Sequence, residues 1–240
     1  MLTHSNKRPF GRIDREHRNK DKEVTEEEVS KAISDLNKKE ASDNNNLALE
    51  HFINAKQVLV EPLTMLFQYM QKLHHIPDSM KTGCVTSIPK KNNDPRLPAS
   101  HRGITIVPVI GKILESVFKD QHSQIQCEEQ DDLQLGFTEG LSPLLGALLV
   151  TKVIQEAKDS HQVLLIASLD AVKAFDMVVH PILTHTLFEE NCPLDIIAAA
   201  DELYTGLTSS VTWKGYTSST YSLKQGVRQG GVWSSLLHKS

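Results

Sequence analysis

Residues 162–180 read Gln-Val-Leu-Leu-Ile-Ala-Ser-Leu-Asp-Ala-Val-Lys-Ala-Phe-Asp-Met-Val-Val-His. Residues 163–169 are apolar, rich in β-formers and bounded by polar residues, the pattern of a short buried strand. One carboxylate, Asp170, stands at its end, followed by Phe175 and Asp176. A carboxylate closing an apolar run needs a partner to offset its desolvation. A strand that delivers an Asp to its mouth can hold a divalent cation near a substrate phosphate. The same Asp can equally cap the strand or begin the next turn, and the stretch alone leaves both readings open.

The 240 residues suffice for one large domain or two small ones. No apolar run reaches the roughly 18 residues that span a bilayer, and residues 1–22 are polar without a signal-peptide core. Cys84, Cys127 and Cys192 are far apart and odd in number, so neither a disulfide framework nor a zinc spacing follows. The expectation is an intracellular protein of the cytoplasm or nucleus, neither secreted nor membrane-spanning. The histidines are scattered, and neither His74-His75 nor the His180/His185 pair has a Cys or carboxylate at ligand spacing. Residues 1–24 carry seven Lys/Arg against four acids, net +3, which leaves net −7 over the rest. Polyanion binders are usually basic, so any nucleic-acid surface here must be local.

Residues 1–23 form a polar lead-in without periodicity, expected to be disordered. A helix is predicted over 24–39: Thr25 and Glu28 make a capping box, Val24 can staple against Val29, and Val29, Ala32, Ile33 and Leu36 share a face. Lys38-Lys39 suit its C-terminal end. Residues 41–46 read as a loop. Residues 49–73 read as largely helical, with Leu59, Leu63, Leu66, Phe67, Met70 and Leu73 inward and Pro62 in the first turn of a second part. A strand over 84–88 runs into a loop carrying Lys90 and Lys91, and then comes His101-Arg102-Gly103-Ile104. Further helices are predicted over 109–125, 141–157, 181–190 and 194–204. The second of these has an apolar stripe (Leu144, Leu145, Leu148, Leu149, Val153), and an acidic loop over 128–132 precedes it. Residues 211–213 and 220–223 read as a hairpin around Gly215. Helices and strands without regular βα alternation make an α+β fold.

The order of the blocks carries more information than any one of them. Ser87-Ile88-Pro89-Lys90-Lys91 is followed by His101-Arg102-Gly103-Ile104, then Gly111-Lys112-Ile113-Leu114-Glu115, then Gly136-Phe137 and Gly140. Next come Leu169-Asp170-Ala171-Val172-Lys173-Ala174-Phe175-Asp176 and Gln225-Gly226-Val227-Arg228-Gln229-Gly230-Gly231-Val232. This series resembles the reverse transcriptase domain of non-LTR (LINE-type) retrotransposons, over roughly residues 24–240. The resemblance implies the fingers of a right-hand polymerase over about 24–160 and a partial palm over about 161–240, without the thumb.

Residue by residue, the resemblance makes Asp170 the first catalytic aspartate and a ligand of Mg2+. It makes Phe175 the gate beneath the incoming sugar. Lys90, or Lys91, and Arg102 become the finger residues that hold the triphosphate. Gln229 and Gly230 become the loop beside the nascent base pair and template. The implied partners are an RNA template, a DNA primer and deoxynucleoside triphosphates. The bottom-up chemistry agrees, because phosphoryl transfer needs neutralised charge: Lys supplies a point charge, and Arg can hold two oxygens at once. Read as surface chemistry alone, Lys90-Lys91 is equally a solvated loop, and Arg102 a partner for a carboxylate.

Three departures stand against the pattern. The family's paired Asp-Asp follows the Gln-Gly loop on a hairpin, and none occurs between Gly230 and Ser240. Asp131-Asp132 precede Asp170 and have no apolar strand to present them. His101-Arg102-Gly103 stands where the family has Arg-Pro after an aromatic. The implied chain is a truncated, inactive descendant of a retrotransposon polymerase. The alternative is a non-catalytic remnant that binds RNA weakly or serves as a scaffold.

Overall fold

The local signals at the first helix act as read. In the computed structural model, which describes residues 22–36, 41–91, 94, 96–97, 100–126, 131, 133–138 and 140–239, α1 spans Glu26–Asp35. The Glu28 amide donates to Thr25 Oγ1 at 3.3 Å, and the Thr25 amide donates to Glu28 Oε2 at 3.0 Å. That reciprocal pair is the capping box. Val24 and Val29 flank it, both fully buried. Residues 1–21, Lys38-Lys39 and most of the acidic loop lie outside the described residues.

The next elements build a helical core. α2 (Leu49–Asn54) and α3 (Lys56–Leu73) are separated at Ala55. Leu63, Phe67 and Met70 face inward as expected, but Leu66 and Leu73 are exposed. Pro62 lies inside α3, not in a first turn, because the helix begins at Lys56. Pro62 has no N–H for the Val58 carbonyl, yet the helix continues because residues beyond it are held in the core. After α4 (Asp78–Lys81) and two strands, α5 (Val109–Gln126) packs on α1. It buries Ile113, Leu114, Val117 and Phe118. Its N-terminus is capped from far away: the Val109 amide donates to Asp43 Oδ2 at 3.0 Å, while Asp43 Oδ1 accepts from Asn45 and Leu47. One buried carboxylate thus shapes the 41–48 loop and starts α5.

The sheet is mixed. β1 (Thr82–Pro89) pairs antiparallel with β2 (His101–Ile106) and parallel with β3 (Thr208–Trp213). β3 turns back at Lys214-Gly215 into β4 (Tyr216–Thr217), and β5 (Tyr221–Ser222) pairs with the start of β3. The expected hairpin is therefore present, interrupted between its two short return strands. α7 (His180–Glu189), α8 (Leu194–Tyr204) and α9 (Ser234–Lys239) complete the helical layer. Trp233, fully buried, stacks on Phe118 with ring centroids 5.7 Å apart. Among the described residues no helix is long and apolar enough to cross a membrane.

Two apolar stretches stay out of the core, and for one of them an expectation fails. α6 (Pro143–Asp159) forms where predicted, but none of its residues is buried, so the stripe of Leu144, Leu145, Leu148, Leu149 and Val153 does not face the core. Residues 163–169 are not a strand and are not buried: Val163 and Leu165 are each 90% exposed and Leu169 is 99% exposed. The two behave differently for a physical reason. A helix closes its own hydrogen bonds, so α6 stands without packing. A strand needs a neighbour for its ladder, and among the described residues none pairs with 163–169. The outcome is a large exposed apolar surface, an association hazard.

We expect Leu165→Lys to leave the thermal midpoint unchanged while raising the soluble, monomeric fraction in light scattering. A lower midpoint would mean that Leu165 is packed. A second expectation concerns Glu202. Burial pushes its carboxyl up, but donation from Lys81 Nζ at 2.7 Å, Ile76 N and His75 outweighs it and leaves Glu202 below its ordinary value of 4.5. Because the folded value is the lower one, the stabilisation is present above the unfolded value and is lost as pH falls through the folded one. Urea unfolding between about pH 3 and pH 7 should therefore show a shallower acid loss of stability in Glu202→Gln than in wild type.

Candidate functional site

The β1–β2 hairpin brings the basic residues of two sequence blocks to one tip. Ile88 pairs with Arg102 and Pro89 with His101, and the Lys90 amide donates to the Ser100 carbonyl at 2.7 Å. Lys91 and Arg102 are exposed there, and Lys90 is half-buried. A fourth cation of this loop is already engaged. Arg96 donates from Nε and Nη2 to the two Asp94 oxygens at 3.1 and 3.0 Å. Those bonds, and the Arg96 amide, hold the Asp94 carboxyl below its ordinary value. The tip therefore offers Lys91 and Arg102 to solvent while Arg96 is tied down.

Residues 225–231 join that hairpin to the segment after Asp170. The Thr105 amide, on the outer edge of β2, donates to the Gln229 carbonyl at 2.7 Å. Gly230 follows at φ +124°, and a Cβ there would stand 2.5 Å from the Thr105 carbonyl oxygen. Only glycine allows that approach with that backbone. At the loop's other end, the Val227 amide donates to the Phe175 carbonyl at 2.8 Å and the Gly226 amide to the Val178 carbonyl at 2.7 Å. His180 Nε2 donates to the Gly226 carbonyl at 2.8 Å, which places its ring proton on that nitrogen. Phe175 lies in the 3-10 turn Ala174–Met177, half-buried, edge-on to Phe137 with centroids 6.2 Å apart. Lys173 opens the turn at φ +53°, an uncommon conformation for a residue with a side chain.

Arg102, Phe175, Gln229 and Gly230 are thus linked through one backbone-bonded assembly. Asp170 is not. It is exposed in the unpaired stretch and joins none of these bonds among the described residues. Sequence reasoning did not assign Thr105, His180, Glu115, Arg228 or Trp233. Glu115 and Arg228, both buried, form an ion pair between α5 and the loop. Their only sequence signal was membership of the ordered blocks.

The metal question has a definite answer for the residues described. Magnesium takes oxygen ligands in near-octahedral geometry, usually with one or two carboxylates. Among the described residues, the one group of three or more His, Cys, Asp and Glu close enough to share an ion is His122, Glu190 and Cys192, without Asp170. A thiol and an imidazole do not suit magnesium. Nor does His122 suit a softer ion. The Trp233 indole N–H donates to His122 Nδ1 at 3.1 Å, so a neutral ring carries its proton on Nε2, the atom that faces Glu190 Oε2 at 3.6 Å. That trio is a buried polar contact. Asp170 alone does not make a magnesium site.

Comparison with known proteins adds the family. The model of the reverse transcriptase (RNA-dependent DNA polymerase) family matches residues 88–239. The chain is 27% identical over 73% of its length to the probable RNA-directed DNA polymerase from transposon X-element of Drosophila melanogaster, covering 20% of that protein. It is 26% identical over 87% of its length to the RNA-directed DNA polymerase from mobile element jockey of the same fly, covering 23% of it. It is 26% identical over 65% of its length to the Pol polyprotein from type-1 retrotransposable element R2 of Bradysia coprophila, covering 17% of it. The chain therefore spans about a fifth of the length of these relatives.

Gly230→Ala tests the loop geometry. It forces a methyl against the Thr105 carbonyl at positive φ, with an expected loss of about 1–3 kcal/mol in urea unfolding. A loss under about 0.5 kcal/mol, the range of an ordinary surface change, would mean that the loop does not lie against β2.

Proposed function

We propose, from the premise that this chain belongs to the reverse transcriptase (RNA-dependent DNA polymerase) family, that its β1–β2 tip and its 225–231 loop contact the incoming nucleotide of an RNA-templated polymerase. It is a reverse transcriptase domain similar to retrotransposon RNA-directed DNA polymerases. The observation that carries the proposal is the pair of backbone bonds, Thr105 N to Gln229 O and Val227 N to Phe175 O, which tie three separated sequence blocks into one assembly. In this reading residues 24–160 are the fingers and 161–240 belong to the palm. Lys90, Lys91 and Arg102 neutralise the triphosphate. Phe175 lies beneath the sugar and excludes a 2′-hydroxyl by bulk. Gln229 and Gly230 lie against the nascent pair, where a side-chain-free Gly lets backbone approach a base. RNA template and DNA primer are the proposed partners. Asp170 contributes one carboxylate toward a divalent ion.

A second reading concerns this 240-residue chain taken by itself: it contacts nucleotide but does not extend a primer. It is favoured by the position of Asp170, exposed and outside any ligand group among the described residues. The net −7 of the chain beyond residue 24 also fits a weak hold on nucleic acid.

Titration of a fluorescent deoxynucleoside triphosphate checks both readings, with primer extension on an RNA template alongside. Arg102→Ala, and Lys90→Ala with Lys91→Ala, should each weaken nucleotide binding about tenfold, the scale of a lost charge-assisted contact. Wild-type affinity in all variants would remove the site. Magnesium-dependent incorporation that disappears in Asp170→Ala would overturn the second reading.

A further inference from the structure

Glu115 lies on the face of α5 that also buries Ile113, Leu114, Val117 and Phe118, and it is itself only 2% exposed. A carboxylate does not stay ionised in such a place without a compensating charge. That charge comes from Arg228, 113 residues away and 3% exposed, whose Nη2 donates to Glu115 Oε1. The other oxygen, Oε2, accepts from the Trp233 backbone amide at 3.2 Å. One carboxylate thus grips both ends of residues 228–233, the segment that contains Gln229, Gly230 and Gly231.

The segment lies close against that carboxylate. A Cβ on Gly231 would stand 2.9 Å from Glu115 Oε2 and 2.4 Å from Ser234 Oγ. The Trp233 ring is fixed to α5 as well, stacked on Phe118 and donating to His122. On the loop's other side lie the Thr105 and Phe175 bonds. Arg228 Nε and Nη1 have no hydrogen-bond partner among the described residues. Glu115 is therefore what offsets the Arg228 charge.

We propose that Glu115 is a positioning residue: through Arg228 and the Trp233 amide it sets where Gln229 and Gly230 lie against β2. What that placement serves rests on the nucleotide-contacting role argued above; the placement itself does not. A glutamine at this position cannot replace the carboxylate. It offers one acceptor oxygen to two donors, and its NH2 faces an N–H of Arg228 or of Trp233.

The test is amide hydrogen exchange on the full chain, with the fluorescent deoxynucleotide titration run in parallel. In Glu115→Gln, amides within residues 226–233 should exchange about tenfold faster or more, with α1 and α3 unchanged, and the nucleotide should bind about tenfold more weakly. Unchanged protection of 226–233, or a loss spread equally over α1 and α3, overturns the proposal. If Glu115→Gln does not fold, Arg228→Lys and Arg228→Gln decide. Protection kept by the lysine, which retains the charge, and lost by the glutamine supports a charge-held loop; equal behaviour of the two overturns it. If wild type binds no nucleotide, the site reading fails, and the exchange data still decide the role of Glu115.

Discussion

Two charges buried beside each other dominate the arrangement of this domain. Glu115 and Arg228 would each be costly alone in a nearly solvent-free position, and removing one partner of such a pair is far worse than never having built it. The pair therefore fixes more than a contact. It obliges the chain after β5 to return to α5, and on the way the backbone passes the edge of β2 and the turn that carries Phe175. Those passages satisfy backbone groups that would otherwise be open, including the Thr105 amide on the sheet edge.

α5 is the hub of this scheme at both ends. Asp43 reaches from a distant loop to cap its first turn, and Glu115, Phe118 and His122 receive the returning chain further along. Buried polar groups specify geometry more narrowly than apolar packing does, since each must meet its partner within hydrogen-bond distance. The loop's conformation, including Gly230 at a backbone angle that side chains rarely adopt, is over-determined by bonds on both sides. That is the condition under which an unusual conformation persists.

The contrast between α6 and residues 163–169 shows the limit of local information. Both are apolar, and residues 163–169 were expected to form a buried strand. α6 keeps its form because its hydrogen bonds lie within itself. The β-rich stretch has no such recourse, and without a ladder neighbour among the described residues it is unpaired and exposed. Asp170 inherits that exposure. In the sequence it closes the apolar run, and in the structure it stands outside the bonds that join β2, the 225–231 loop and the turn of Phe175.

How much was legible follows the range of the forces. Thr25 with Glu28 and the 214–215 turn could be read because each depends on residues a few positions apart. The family was legible as well, because the ordered blocks at Lys90, Arg102, Phe175 and Gln229 preserve chain order whatever the packing. Pro62 inside α3 and the outward Leu66 and Leu73 were misread because core contacts, not propensity, decide where a helix continues and which way it faces. By itself the sequence determined the longer helices, the hairpin around Gly215 and the membership of a polymerase family, since caps, turns and periodicity act within a few residues. The tertiary structure alone decided that Glu115 meets Arg228, that the Gln-Gly loop lies on β2, and that residues 163–169 stay exposed. Burial and strand pairing depend on neighbours that the chain brings together only by folding.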